Sequence, residues 1–179
     1  KEQAEELAKE MIEIGKLANK ETICVLTNMD EPLGYTIGNN LEVIEAIEFL
    51  NGKMPEDLKK VVLELGSYMI KLAGLGDNLE ENKIKMLDNI KNGKALKKFE
   101  EMVKNQGGDT SYLENTSKFP RAKYIEAIKA KQSGYIQEIN AEEVGKVACN
   151  LGAGRIRKED KIDNTVGVKL CKKVSYKVE

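Results

Sequence analysis

The chain is 179 residues long, 41% hydrophobic and 33% charged, a balance that fits one or two small globular domains and excludes disordered and fibrous classes. Lys+Arg 29 against Asp+Glu 30 gives a formal net charge of −1, so no global basic field draws the chain to nucleic acid or to an anionic membrane. No apolar run approaches the ~20 residues of a membrane helix, and the three cysteines Cys24, Cys149 and Cys171 lack metal-type spacing and are odd in number, which points away from a secreted disulfide scaffold and toward a cytoplasmic chain.

In chain order, Ala4, Leu7, Ala8, Met11, Ile14, Gly15 and Ala18 recur at three- and four-residue steps and predict an amphipathic helix. Thr22 to Thr27 is short, apolar and rich in β-branched residues, the pattern of a strand buried in a parallel sheet. Pro32 to Gly38 follows as a ligand-type loop beyond the carboxyl end of that strand, where open α/β sheets hold their ligands. Asn39 or Asn40 is placed to cap the next helix in a capping-box-like pair with Glu42, and Val43, Ile44, Ala46, Ile47 and Leu50 form its apolar arc up to Asn51-Gly52. Pro55 opens a further helix with the stripe Leu58, Val61, Val62, Leu65, Met69 and Leu72. Gly66 inside it is either a point of close backbone packing or a tolerated glycine. Asn78 caps a helix carrying Ile84, Leu87 and Ile90, and Leu96, Phe99 and Val103 mark the one after it.

Gln106-Gly107-Gly108-Asp109 is the clearest break, and the polar stretch behind it reads as a linker. Beyond it the pattern turns to β: Tyr124 to Ala130 and Tyr135 to Ile139 predict a hairpin about Gln132-Ser133-Gly134. Asn140 caps a short helix that ends near Leu151 to Gly154, and Val166 to Val174 reads as a last strand. The expected organisation is residues 1–108 as part of a helix-rich α/β domain, 109–121 as a linker, and 122–179 as a small, truncated α+β domain. A buried parallel strand needs neighbours, and residues 41–104 offer only helical patterns. Either Thr22 to Thr27 pairs with the β segments near the C-terminus, or the chain is a fragment of a larger sheet; the helical pattern at Lys1, without a start signal, favours the fragment.

Four runs in order resemble the C-terminal half of pyrimidine-nucleoside phosphorylases, the group that includes thymidine phosphorylases. They are Pro32 to Glu45 (PLGYTIGNNLEVIE), Gly93 to Asp109 (GKALKKFEEMVKNQGGD), Ser133 to Ile139 (SGYIQEI) and Leu151 to Val168 (LGAGRIRKEDKIDNTVGV). The resemblance implies a homodimeric glycosyltransferase that cleaves a pyrimidine nucleoside with inorganic phosphate as co-substrate, giving the free base and a pentose 1-phosphate. It also implies that residues 122–179 belong to the family's barrel-sandwich-like C-terminal domain. Such chemistry needs N–H groups and cations holding phosphate against C1′, and donors for the departing base. In the family these lie in the N-terminal half, on a phosphate loop with a Lys-His-Ser sequence. This chain has no histidine, so no catalytic residue is expected in it, and the chain alone is expected to be inactive.

One family site is implied here. Leu33, Thr36 and Glu45 correspond to ligands of a potassium-like monovalent ion beside the phosphate loop, Leu33 and Thr36 through carbonyl oxygens and Glu45 through its carboxylate, the hard oxygen donors such an ion prefers. Many members have alanine where this chain has Thr36. Taken without the resemblance, Glu45 reads as one carboxylate of a solvated helix face. The C-terminal domain is also related in shape to biotinyl and lipoyl carriers, but Lys172 to Lys177 lacks a carrier signature. The second functional class is therefore a stand-alone, non-catalytic binding or scaffold module.

Overall fold

Each stretch with three- and four-residue apolar spacing is helical in the computed structural model, which describes residues 1–179. The helices are α1 (Glu2–Leu17), α2 (Asn39–Leu50), α3 (Glu56–Leu72), α4 (Leu79–Lys91), α5 (Lys94–Asn105), α6 (Ser111–Glu114) and α7 (Ala141–Ala148). Four two-residue strands complete the regular structure: β1 (Thr36–Ile37), β2 (Gly134–Tyr135), β3 (Val168–Lys169) and β4 (Lys177–Val178). The architecture is helix-rich α/β. Its strands pair antiparallel and far apart in sequence, β1 with β3 and β2 with β4.

Two expected strands do not form. Residues 20–29 hold no helix or strand, although Ile23, Cys24 and Val25 are half-buried. Residues 124–130 likewise make no hairpin with residues 135–139; Gly134 and Tyr135 pair instead with Val178 and Lys177. Val166 to Val174 is a strand only at Val168–Lys169. A strand is defined by the neighbour that takes its N–H and C=O groups, so β propensity without a paired edge yields extended chain and not sheet.

Caps were partly legible. Asn78 Oδ1 accepts from the backbone N–H groups of Glu80 at 3.0 Å and Glu81 at 3.2 Å, and Asn140 Oδ1 accepts from Glu143 N at 3.0 Å, as the capping rule requires. At α2 the expected asparagine cap is absent, because the helix already includes both residues, and their side chains reach elsewhere: Asn39 Nδ2 donates to Ala153 O at 2.9 Å and Asn40 Nδ2 to Pro120 O at 3.0 Å. The N-cap is Gly38, and the Glu42 carboxylate reaches back to its N–H at 3.0 Å.

The chain divides into two compact units, Lys1–Asn28 with Lys59–Asp88, and Met29–Leu58 with Asn89–Glu179. In the first, Leu63, Ser67 and Asn82 are buried. Asn82 Nδ2 donates to Ser67 O at 3.2 Å and to Gly76 O at 2.8 Å, tying α4 to α3 and to the loop between them. A Cβ at Gly66 would run into the Met86 thioether, so this glycine marks close packing of α3 on α4. The apolar stripe of α1 stays largely outside, with Ile14 65% exposed.

The second unit is built on α2, whose Ile47 is 1% exposed and whose Phe49 is also buried. Helix α2 packs on α5 and β1, while α7 packs on β1 and β3. Segment 109–121 is folded, carrying α6, a 3-10 turn at Thr116–Lys118 and an edge-on contact of Tyr112 with Phe119 at 4.9 Å. The β1–β3 pair brings residues 35–38 against 166–170: Leu170 N donates to Tyr35 O at 2.7 Å. That pairing places the C-terminal segment beside the loop that precedes α2.

Candidate ion-binding loop

Residues 31–38 form a turn that cannot satisfy its own backbone, and side chains from three other elements do so. Gly34 takes φ +71, a conformation that favours glycine, and a Cβ there would collide with the Glu45 carboxylate. Glu45, in the second turn of α2, aims that carboxylate at the loop. Its Oε1 accepts from Tyr35 N at 2.8 Å and its Oε2 from Thr36 Oγ1 at 3.0 Å. Thr36 Oγ1 also lies 3.2 Å from Leu41 O, tying the loop to the first turn of α2. Of the three residues singled out by resemblance, the structure thus joins Thr36 and Glu45 directly. Leu33, the residue before Gly34 in the loop, is 45% exposed.

The donor set that Leu33, Thr36 and Glu45 would offer is one carboxylate and two backbone carbonyls, a weakly charged oxygen environment. It suits a monovalent cation better than a divalent ion, which draws several carboxylates. No group of three or more His, Cys, Asp or Glu residues that could hold a metal ion occurs. The Thr36 hydroxyl has one proton to share between Leu41 O and Glu45 Oε2, and beside it stands the residue's own carbonyl. Alanine at this position would keep that carbonyl while losing the tie to Glu45.

The sequence reading missed the other half of the loop's support. Asp57, in the first turn of α3, accepts from Gly34 N at 3.0 Å. Lys173 is only 6% exposed. Its ammonium donates to Gly34 O at 2.9 Å and to Pro32 O, and pairs with Asp57 at 3.0 Å. Glu31 stands 3.9 Å away and the Tyr35 ring centroid 5.7 Å away. Burial raises the Asp57 carboxyl, but the hydrogen bonds from Lys173, Leu58 N and Gly34 N outweigh it and bring the pKa below the ordinary 3.8. Asp57 therefore stays charged at neutral pH and keeps its partners. Next to it, the hydrogen bond to Tyr176 at 3.5 Å is the main cause pushing the Tyr35 phenol up to about 12.

Little in the sequence pointed to Lys173. Alternation through Val168, Leu170 and Val174 would turn Lys172 inward with them, yet Lys172 is exposed and Lys173 is buried. Its burial also removes it as a carrier-type lysine, which must stand free at a tip.

Against known proteins, residues 1–96 match a family model described as "Glycosyl transferase family, a/b domain", and residues 135–179 match one described as "Pyrimidine nucleoside phosphorylase C-terminal domain". The chain is 51% identical over 178 residues to the pyrimidine-nucleoside phosphorylase of Bacillus subtilis (strain 168). It is 44% identical over 178 residues to that of Staphylococcus aureus (strain USA300). Each alignment covers 99% of this chain and 41% of the relative, so the chain spans about two fifths of the length of the curated proteins it matches. With an α/β domain model over more than half its residues and a second model over its C-terminal segment, the chain belongs to the glycosyl transferase family, in its pyrimidine-nucleoside phosphorylase group.

Proposed function

We propose that this chain is part of an enzyme that cleaves a pyrimidine nucleoside with inorganic phosphate, releasing the base and a pentose 1-phosphate. Within that enzyme it supplies the ion-binding shoulder of the active site and a stretch of the C-terminal domain. The observation that carries the reading is the Glu45 carboxylate locked onto Tyr35 N–H and the Thr36 hydroxyl. A glutamate on a solvated helix face has no reason to be aimed inward at a turn, whereas an ion ligand must be held in place before the ion arrives. Leu33 and Thr36 offer carbonyl oxygens, Glu45 its carboxylate, and potassium is the ion. Bound there, the ion would neutralise charge on the loop, while this chain's own residues hold the loop's shape.

The remainder of the reading is a cytoplasmic homodimer that takes small-molecule substrates and has no nucleic-acid or membrane partner. Residues 1–108 belong to the α/β domain, 109–121 link it, and 122–179 belong to a barrel-sandwich-like domain. The groups that touch phosphate and base lie on other parts of the whole protein. The test is phosphorolysis of uridine. A full-length protein containing this sequence should release uracil in the presence of phosphate and potassium, and a pure 179-residue sample should release none. Turnover by the short chain would contradict the division of labour, and a silent full-length protein would contradict the activity itself.

A further inference from the structure

We propose that Lys173 is a positioning residue for the loop at residues 32–38. Its ammonium serves as a built-in cation that fixes the Pro32 and Gly34 carbonyls, so the C-terminal segment sets the shape in which Leu33, Thr36 and Glu45 meet a monovalent ion. The inference rests on the ion reading above for what the loop binds, but not for what Lys173 does to the loop.

An ammonium has three N–H donors. At Lys173 all three have an acceptor: Pro32 O, Gly34 O at 2.9 Å and Asp57 Oδ2 at 3.0 Å. Nothing is left over for a proton transfer or a ligand. The group is a saturated clamp. A buried charge persists only when it is paired and fully hydrogen-bonded, and here Asp57 supplies the counter-charge, with Glu31 at 3.9 Å and the Tyr35 ring face adding to it.

The clamp closes on itself. Asp57 accepts both from Lys173 and from Gly34 N, while Lys173 donates to Gly34 O, so the Gly34 residue is gripped at its N–H and its C=O. The next N–H along, that of Tyr35, belongs to Glu45. Two carboxylates and one ammonium thus specify the turn at Gly34. The cation and the two anions arrive from different elements: Lys173 from between β3 and β4, Asp57 from α3 and Glu45 from α2. Val174 N donates to Glu31 Oε2 at 3.4 Å and Leu170 N to Tyr35 O at 2.7 Å, so the backbone on either side of Lys173 is tied to the same loop. The loop of the α/β domain is therefore shaped by the segment matched to the C-terminal domain.

A methionine keeps the stem of Lys173 and removes its charge and donors. An arginine keeps the charge, but its planar fork does not match three acceptors arranged about one nitrogen. In the full-length protein, Lys173→Met is expected to weaken rubidium binding, measured by equilibrium dialysis as a stand-in for potassium, by about tenfold or more. Hydrogen exchange at the Gly34 and Tyr35 amides should quicken by a similar factor. Lys173→Arg should fall between wild type and Lys173→Met in both readouts, and Lys172→Met should match wild type. A Lys173→Met protein that binds rubidium normally with both amides still protected overturns the positioning role. If Lys173→Met does not fold, Lys173→Arg decides: equality with wild type in both readouts overturns the proposal. Wild-type protein that binds no rubidium, but whose loop amides are still released by Lys173→Met, overturns the ion reading and leaves the clamp standing.

Discussion

Glu45→Ala in the full-length protein is expected to raise the potassium concentration needed for half-maximal phosphorolysis by roughly tenfold to a hundredfold, the value of one or two hydrogen bonds to a charged group. Two losses add up. The carboxylate is the one charged oxygen among the proposed ligands, and it also holds Tyr35 N–H at 2.8 Å and the Thr36 hydroxyl at 3.0 Å. Without it a half-buried N–H is left without its acceptor and the turn at Gly34 loses one of its two anionic anchors. Glu45→Gln separates the contributions: it keeps an acceptor for Tyr35 N–H but has no charge for the ion. If charge at the ion dominates, Gln behaves like Ala in potassium dependence while retaining the protection of the Tyr35 amide. Unchanged potassium dependence in Glu45→Ala would remove this residue from the ion site.

Gly167→Ala carries the second large effect, on stability. A Cβ at Gly167 would fall well inside contact distance of Ile37 O and 3.1 Å from Gly38 Cα. Both are backbone atoms, so no side chain can swing aside to make room. The β1–β3 pair must open, and with it the approach of residues 166–174 to the loop. The expected cost is about 1–3 kcal/mol, as for overpacking elsewhere, which for a chain of this size lowers the melting temperature by about 2–4 °C per kcal/mol. Gly145→Ala is the internal comparison. Gly145 lies in α7 with nothing within 4 Å of an added Cβ, so alanine there should stabilise the chain by about 1 kcal/mol through helix propensity alone. Thermal melts of the two variants, moving in opposite directions, check the argument; a Gly167→Ala melt equal to wild type would contradict the close approach of Gly167 to Ile37 and Gly38.

The helices were legible because the information that makes them is local. The stripes of α2 to α5, the Asn78 and Asn140 caps and the Gly52 stop all lie within a turn or two of the residues they govern. The strands were not. Thr36–Ile37 pairs with Val168–Lys169 and Gly134–Tyr135 with Lys177–Val178, and no pattern inside two residues announces a partner that far along the chain. Conversely, Thr22 to Thr27 and Tyr124 to Ala130 carry strong β signals and stay unpaired. The site divides in the same way. Leu33, Thr36 and Glu45 were reached through family resemblance, because periodicity alone placed Glu45 on a solvated face. Asp57 and Lys173 were reached only through the structure, since a Lys-Lys pair at the end of a strand-like run looks like surface until its neighbours across the fold are known.

The central claim is that this chain holds a monovalent cation on the loop before α2. Thallium(I) has nearly the charge and size of potassium and scatters strongly, so crystals of the full-length protein grown in thallium acetate test it directly. The account predicts an anomalous peak within coordination distance of the Leu33 and Thr36 carbonyl oxygens and the Glu45 carboxylate, lost in Glu45→Ala. A peak elsewhere, or none at the loop while other sites fill, would contradict it.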